Sequence, residues 1–563
     1  MNICRSIGFA LLISVIAACN QDSGFLSAPE IRQNPNPRVP LAAVLTYDAG
    51  SSTTTKIEVS GGEDKWIIEL DDDPTQGLPI VGLKPATAYR FVVTAIRENG
   101  DTLTAPPLSY ETPALPPGLG DFPPLDVKTT KPSEMEPGVT FLSIRRRVPG
   151  RPHWLTPAQR RYSAGWGIIV ALDPYGDVIW YYEADRRVAG IDRLRNGNLL
   201  FHQTDARSLE VDILGNTVTE WYAADRPFDP PENPDAVPIR NAQTIHHQPL
   251  ETPMGTFLSF SANARLIEDY YTSEYDPEAP RADALVMGDD IIEFDGEGNE
   301  LWRWSTWDHL DPFRIGYELT EAYWHVRGFP DHLDWTHGNG LEYDPRDDSI
   351  IINLRHQDAL IKIDRKSGEI VWILGEHTDW SEELQKKLLT PVGEPFRWIY
   401  HAHNPRLTDS GTILLFDNGK FQARPFRPYA EPEDTYSRTV EFEVDEEAMT
   451  VRQVWASHDE VTPDNCYSFA MGDAHWLPKT DNYLVVDSIC DYREKGLTQN
   501  EFDYSKRHIV DVVSWARVRE YGSRDADDVV FEVEVRDKTE ILQWQIFGGF
   551  RTPSMYHEPT AAQ

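Results

Sequence analysis

Hydrophobic positions in this chain recur at two spacings. Between about residues 38 and 113 they alternate with polar ones in short runs, at 41–47, 56–60 and 65–70, with Gly and Asp clusters between them. A period of two lines one face of a strand, so these runs predict a small N-terminal β-sandwich over 38–113. Residues 105–124 carry Pro106, Pro107, Pro113, Pro116, Pro117, Pro123 and Pro124. We read a stiff linker there, with its body at 114–129. Beyond it a strand, a turn and a Trp-bearing strand return six times, at 168–180, 209–221, 291–302, 360–372, 440–455 and 530–544. Trp180 and Trp221 lie 41 residues apart, near the period of a four-stranded blade, and the longer gaps hold insertions. Such sheets need neighbours on both faces. The pattern therefore predicts an all-β chain, with a six-bladed β-propeller over 130–563 following the sandwich.

Composition narrows the function classes. Lys plus Arg total 53 against 91 Asp plus Glu, a net charge of −38, which repels phosphate backbones and excludes nucleic acid as a partner. With 40% hydrophobic and 11% aromatic residues, the chain is not an acidic disordered one. Residues 82–89, ending in Tyr89, and the strand that follows resemble the fibronectin type III pattern, where a tyrosine corner opens the next-to-last strand.

Arg5 and an apolar run over 7–16 lead into Ile16-Ala17-Ala18-Cys19. The run is too short to span a bilayer, which takes about 20 residues, and suits a signal peptide. Its end resembles the bacterial lipoprotein box, which implies a leader over 1–18 and a lipidated Cys19. It also implies anchoring in a Gram-negative envelope, facing the periplasm, with the lipid as the sole membrane contact. An ordinary signal peptide cut near Ala18 is the alternative. Cys466 and Cys490 are then an even pair in an oxidising space, either a disulfide or two buried thiols.

A turn and strand precede each Trp hairpin. Nine residues before Thr256 and Thr412 stand His247 and His403, and twelve before Ser349, across a longer loop, stands His337. The matching positions in the first and last copies are Ala189 and Asp473. In a propeller these positions converge on the central channel. Six residues after Ser349 and Thr412 come Arg355 and Asn418, on the strand that returns to the same level. His246 and His401 fall on the other alternation and face away, and His356 is expected to turn into its blade or the neighbouring one. Arg145-Arg146-Arg147 reads as a solvated turn. Arg438 either pairs with a carboxylate or reaches the site. One cation beside three imidazoles suits an anion. Three histidines are also a zinc ligand set, but Arg355 would repel the ion, so no metal is assigned. Histidines that merely plug an inert channel are the remaining reading.

The segments Asp334-Trp335-Thr336-His337-Gly338-Asn339, Asp347-Asp348-Ser349-Ile350-Ile351 with Arg355-His356-Gln357, Phe416-Asp417-Asn418-Gly419 and Tyr436-Ser437-Arg438 resemble the bacterial aryl-sulfate sulfotransferases that do not need phosphoadenosine phosphosulfate. The resemblance covers most of the chain. It implies a cofactor-free enzyme that takes a phenolic sulfate ester and a second phenol, with room for a homodimer. It implies a sulfated histidine at His403, supported by His247, His337 and Arg355, with Asn339, Asn418 and Arg438 as further substrate contacts. Two departures stand out. Gly338 sits where some relatives have a polar residue, and Cys466 and Cys490 fall in a different blade from the family's disulfide. Sulfuryl transfer, like phosphoryl transfer, runs through a loose transition state governed by charge placement, and a neutral imidazole is a competent nucleophile. The rivals are an aryl sulfatase on the same residues and a non-catalytic envelope scaffold.

Overall fold

The computed structural model describes residues 24–556 apart from 52, 150–154, 204–205, 227–229, 321–322, 431–433, 462–465 and 491–513. Cys19 and the leader lie outside them. The described chain forms two compact units. The first takes residues 24–33, 43–80 and 86–112, and the second takes 34–42, 81–85 and everything from Pro113 onward.

The first unit has two antiparallel sheets. Ser27–Gln33, Ala43–Asp48 and Leu78–Ile80 make one; Asp64–Leu70, Thr53–Gly61, Ala88–Arg97 and Thr102–Thr104 make the other. Alternation explains the strands: in Thr53–Gly61 every odd residue is buried, and Ile57, Val59, Phe91 and Val93 form the interior. Leu108–Glu111, inside the stretch read as linker, is a strand paired with Ala88–Arg97. Its flanking prolines lie just outside the ladder, where no donor is needed.

The second unit holds six sheets of four or five strands among the described residues, a propeller-like β fold. Five of them run in chain order, beginning at Val188–Arg193, His246–Glu251, Gly338–Asp344, His403–Leu407 and Asp473–Leu477. The remaining sheet joins Val139–Arg147, Gly167–Leu172 and Val178–Ala184 to Gln543–Thr552 from the far end of the chain. These first strands, with Gln543–Thr552, lie beside one another in succession, and Asp473–Leu477 returns to Gln543–Thr552. Leu125–Thr130, the end of the predicted linker, is an outer strand paired with Val529–Val535.

The tryptophans join sheet to sheet. Trp180, Trp221, Trp304 and Trp455 donate their indole N–H to the carbonyls of Ile213, Gly296, Gly368 and Arg524 at 2.8–3.0 Å, and Trp372 donates to the Glu446 carboxylate at 2.9 Å. Each acceptor lies on the last hairpin turn of the following sheet. The predicted repeat needs two corrections. In the third sheet the bonding residue is Trp304, while Trp302 is only half-buried. The sixth copy, 530–544, is not a hairpin: Val529–Val535 belongs to the sixth sheet, and Trp544 lies on Gln543–Thr552, which completes the first. A two-residue period cannot register which sheet a strand joins. No helix among the described residues is long and apolar enough to cross a membrane.

Candidate active site

Three successive sheets carry the predicted histidines at the start of their first strands. His247 is the second residue of His246–Glu251, His337 immediately precedes Gly338–Asp344, and His403 opens His403–Leu407. In each sheet the pairing with the second strand slips at this level, between His246 and Leu250, Gly338 and Gly340, and His403 and Arg406. Such bulges re-aim side chains. His247 and His337 also adopt φ of 67° and 50°, costly for residues with a Cβ and a mark of functional positions. Their ring centres lie 5.2 Å apart, and Tyr323 sits 4.4 Å from His337 and parallel to His247 at 6.2 Å. His247, not His246, therefore meets His337. His246 stacks on Phe260 and directs Nε2 at Asp289, 3.1 Å away.

The partner that fixes the His403 tautomer is Asn418. The Asn418 amide donates to the carbonyls of Ser468 at 2.6 Å and Met471 at 2.8 Å, so its oxygen faces His403 Nδ1 at 2.7 Å and accepts that proton. Nε2 therefore keeps its lone pair, and the Met471 N–H donates to it at 3.1 Å. Burial, then the charge on Arg355, pushes the ring down to about 3. His403 is neutral at pH 7.

Arg355 is held from behind. It pairs with buried Glu318, and its second terminal nitrogen donates to the Phe469 carbonyl at 3.3 Å. Glu318 also takes Lys420 and lies 3.6 Å from His401 Nε2. Burial alone would raise Glu318, but Arg355 and Lys420 outweigh it and hold the carboxylate below its usual range. His356 is buried between its own sheet and the next, its Nδ1 2.8 Å from the Asp334 carbonyl and its ring 5.7 Å from His401. Its Nε2 meets Arg355 at 2.8 Å, and its ring lies 4.7 Å from His337.

Two carboxyls stand behind the histidine pair. His337 Nδ1 lies 2.6 Å from Asp334, whose other oxygen accepts from the Trp324 indole at 3.0 Å. Burial, then Asp289, raises Asp334 well above the carboxylate range, while burial, then His356 and Arg355, drives His337 well below 6.5. The pair is driven toward neutrality. Behind His247, Nδ1 lies 2.7 Å from His246 Nδ1. Burial, then His246, lowers His247 well below 6.5 as well. Asp334 appears in the sequence motif without a role, and its three-residue spacing from His337 was the available signal. Glu318 and Lys420 carry no local signal, because their partners are remote in the chain.

The other predicted contacts are occupied by the protein. Asn339 donates to the Ala402 carbonyl at 3.0 Å and takes Asn353 at 2.5 Å. Arg438 is buried on Asp417, Gln453, Asp459 and the Arg397 carbonyl, which favours its structural reading. Gly338 is a packing requirement: a Cβ there would lie 2.4 Å from the Phe260 ring, so a polar residue does not fit. Arg145 and Arg146 are not a solvated turn. They end the strand Val139–Arg147 and are buried, Arg146 over the Tyr162 and Trp166 rings. Cys466 and Cys490 form a disulfide. It ties the end of Asn482–Cys490 to the segment carrying Ser468 and Met471.

Glu318, His356 and His401 bring ligand atoms within 4.8 Å of one another, as do Asp334, His337 and His356. In the first set Arg355 and Lys420 already hold the carboxylate, and in the second His337 and Trp324 do. A dication would be repelled by Arg355 in either set.

Residues 126–545 match the family described as Arylsulfotransferase (ASST). The arylsulfate sulfotransferase AssT of Escherichia coli O6:H1 is 26% identical over 583 aligned positions, covering 89% of this chain and 90% of the relative. The protein of that name from Lelliottia amnigena is 25% identical, covering 77% and 80%. A Bacteroides caccae protein of unknown function, known from its crystal structure, covers 73% of this chain and 98% of its own. At 11% identity and a TM-score of 0.34, that likeness carries no argument.

Proposed function

The chain belongs to the arylsulfotransferase family and is an arylsulfate sulfotransferase, and from that premise we propose that it moves the sulfuryl group through a sulfated His403. The observation that carries this reading is the Asn418 clamp, which leaves His403 Nε2 with a lone pair on a neutral ring. In the first half-reaction the Met471 N–H gives up its hydrogen bond to Nε2, and the released lone pair bonds to sulfur while the sulfur–oxygen bond to the aryl group breaks. Arg355, rigid on Glu318, takes the charge on the sulfuryl oxygens. The departing phenolate takes a proton from His337 Nε2 as the Asp334 proton passes to His337 Nδ1. The phenol leaves neutral, and the carboxylate is left behind. In the second half-reaction an acceptor phenol gives its proton to His337 Nε2, its oxygen bonds to sulfur, the His403–sulfur bond breaks, and Asp334 is reprotonated. The neutral His337–Asp334 pair supports this relay, which needs no protonated imidazole.

The closed succession of first strands supports a six-bladed propeller whose central channel holds the site, and the two-sheet first unit suits a fibronectin-like sandwich. We extend the proposal to a lipid anchor at Cys19 and a periplasmic location, which metabolic labelling with a fatty acid would test.

Incubation with 4-nitrophenyl sulfate, with and without phenol, tests the reading by nitrophenolate release and intact mass. Phenol-dependent release with a sulfuryl adduct that disappears in His403→Ala is expected. Phenol-independent release with free sulfate would make the protein a sulfatase. Arg355→Ala should lower turnover about a hundredfold or more, the scale of losing one preorganised donor.

A further inference from the structure

Arg145 takes no part in this scheme, yet it is buried beside it. It belongs to Val139–Arg147 and is 9% exposed, and a guanidinium stays charged at any pH the fold tolerates. Among the described residues it makes no ion pair. One terminal nitrogen reaches the Met471 sulfur, its Nε has no hydrogen-bond partner, and the guanidinium lies 5.0 Å from the centre of the Phe547 ring. A thioether is a weak acceptor and a ring face a partial one. Buried cations are normally matched by a carboxylate, and among the described residues this one is not.

Both of its neighbours border the reacting groups. Met471 donates its N–H to His403 Nε2, and the Phe547 ring lies 6.3 Å from His247. They belong to one apolar cluster with Ala189 and Ile489, against which Phe469 packs. An apolar wall of this kind suits a flat aromatic ring. The two cations meet different parts of it. Arg355 donates to the Phe469 carbonyl at 3.3 Å, whereas Arg145 reaches the Met471 sulfur and lies 5.0 Å from the centre of the Phe547 ring.

We propose that Arg145 is a specificity residue at the aryl end of the site, pairing with an anionic substituent such as a carboxylate on the ring of the phenolic substrate. This rests on the transfer reading above. A ring lying along the Phe547–Met471 wall would present its phenolic oxygen to the histidines and a distal carboxylate to the guanidinium. The pairing would supply the carboxylate that Arg145 lacks among the described residues.

The test compares 3- and 4-hydroxybenzoate with 3- and 4-methylphenol as acceptors, using 4-nitrophenyl sulfate as donor. The quantity read is the ratio of kcat/KM for the charged acceptor to that for the neutral one. Division by the neutral acceptor cancels any loss of active enzyme in a variant. In Arg145→Gln the ratio is expected to fall tenfold or more, and in Arg145→Lys by less. A ratio that stays within twofold of the wild type in Arg145→Gln for both isomer pairs overturns the proposal. If the wild-type protein transfers to none of these phenols, calorimetric binding of the same four compounds decides. Selective loss of hydroxybenzoate binding in Arg145→Gln would uphold the subsite while the transfer reading fails, and equal losses for charged and neutral compounds would overturn it.

Discussion

At the scale of the residue, His403 is defined by what its far nitrogen meets. Asn418 removes the tautomer choice at no cost in charge, which matters where a carboxylate would pull the ring toward the imidazolium and consume the lone pair. Asn418→Ala should therefore lower kcat by about fivefold to a hundredfold, the cost of about 1–3 kcal/mol of leaving the buried His403 Nδ1–H unsatisfied. The donor KM should change less, because Arg355 still holds the sulfate. Steady-state kinetics with 4-nitrophenyl sulfate would show this, and undiminished kcat would remove Asn418 from the mechanism. His247, His337, His403 and Arg355 were legible because a repeat puts equivalent positions at one level. Asn418 was visible by the same arithmetic. Glu318 was not: it stands in an insertion at φ 68°, outside any register, and only folding brings it to Arg355 and Lys420.

At the scale of the element, the recurring tryptophan is a fastener between sheets rather than a filler within one. The sequence pattern finds it wherever one Trp stands on the last strand and misassigns it where two stand two residues apart. Alternation puts Trp302 and Trp304 on the same face, and only Trp304 reaches the next turn. Trp304→Phe should cost about 1–2 kcal/mol through the lost indole bond and imperfect packing, and Trp302→Phe less than half of that. Urea unfolding of the two variants would separate them, and equal losses would contradict the fastener role. The bulges at the histidine level were not legible: they add two residues to the His246 strand and one to each of the others, and they fall at the strand start, with too few residues before them to show a change of phase.

At the scale of the whole molecule, the site makes the fold sensitive to acid. His247, His337, His356 and His403 all have lowered pKa values, chiefly through burial. An unfolded chain protonates these rings below about pH 6.5, while the folded one keeps them neutral, so the unfolded state binds more protons and stability falls as pH drops through that window. Each ring contributes about 1.4 kcal/mol per pH unit. Asp334 acts oppositely, keeping a proton that the unfolded chain releases above about pH 4, and offsets one ring. Urea midpoints should thus fall steeply between pH 6.5 and 5. Constant midpoints there would mean that the rings accept protons without unfolding.

The strand Gln543–Thr552 pairs with Val139–Arg147 across roughly four hundred residues of sequence. Until that partner is made, a growing chain already contains all three histidines and Arg355 but shows the bare edge of Val139–Arg147 to its surroundings. An open edge is a template for any free strand of matching sequence, and the nearest match in a crowd of identical chains is a neighbour's Gln543–Thr552. Chains that meet before each has closed on itself would therefore be expected to exchange this strand, giving dimers in which each copy borrows its Phe547 from the other.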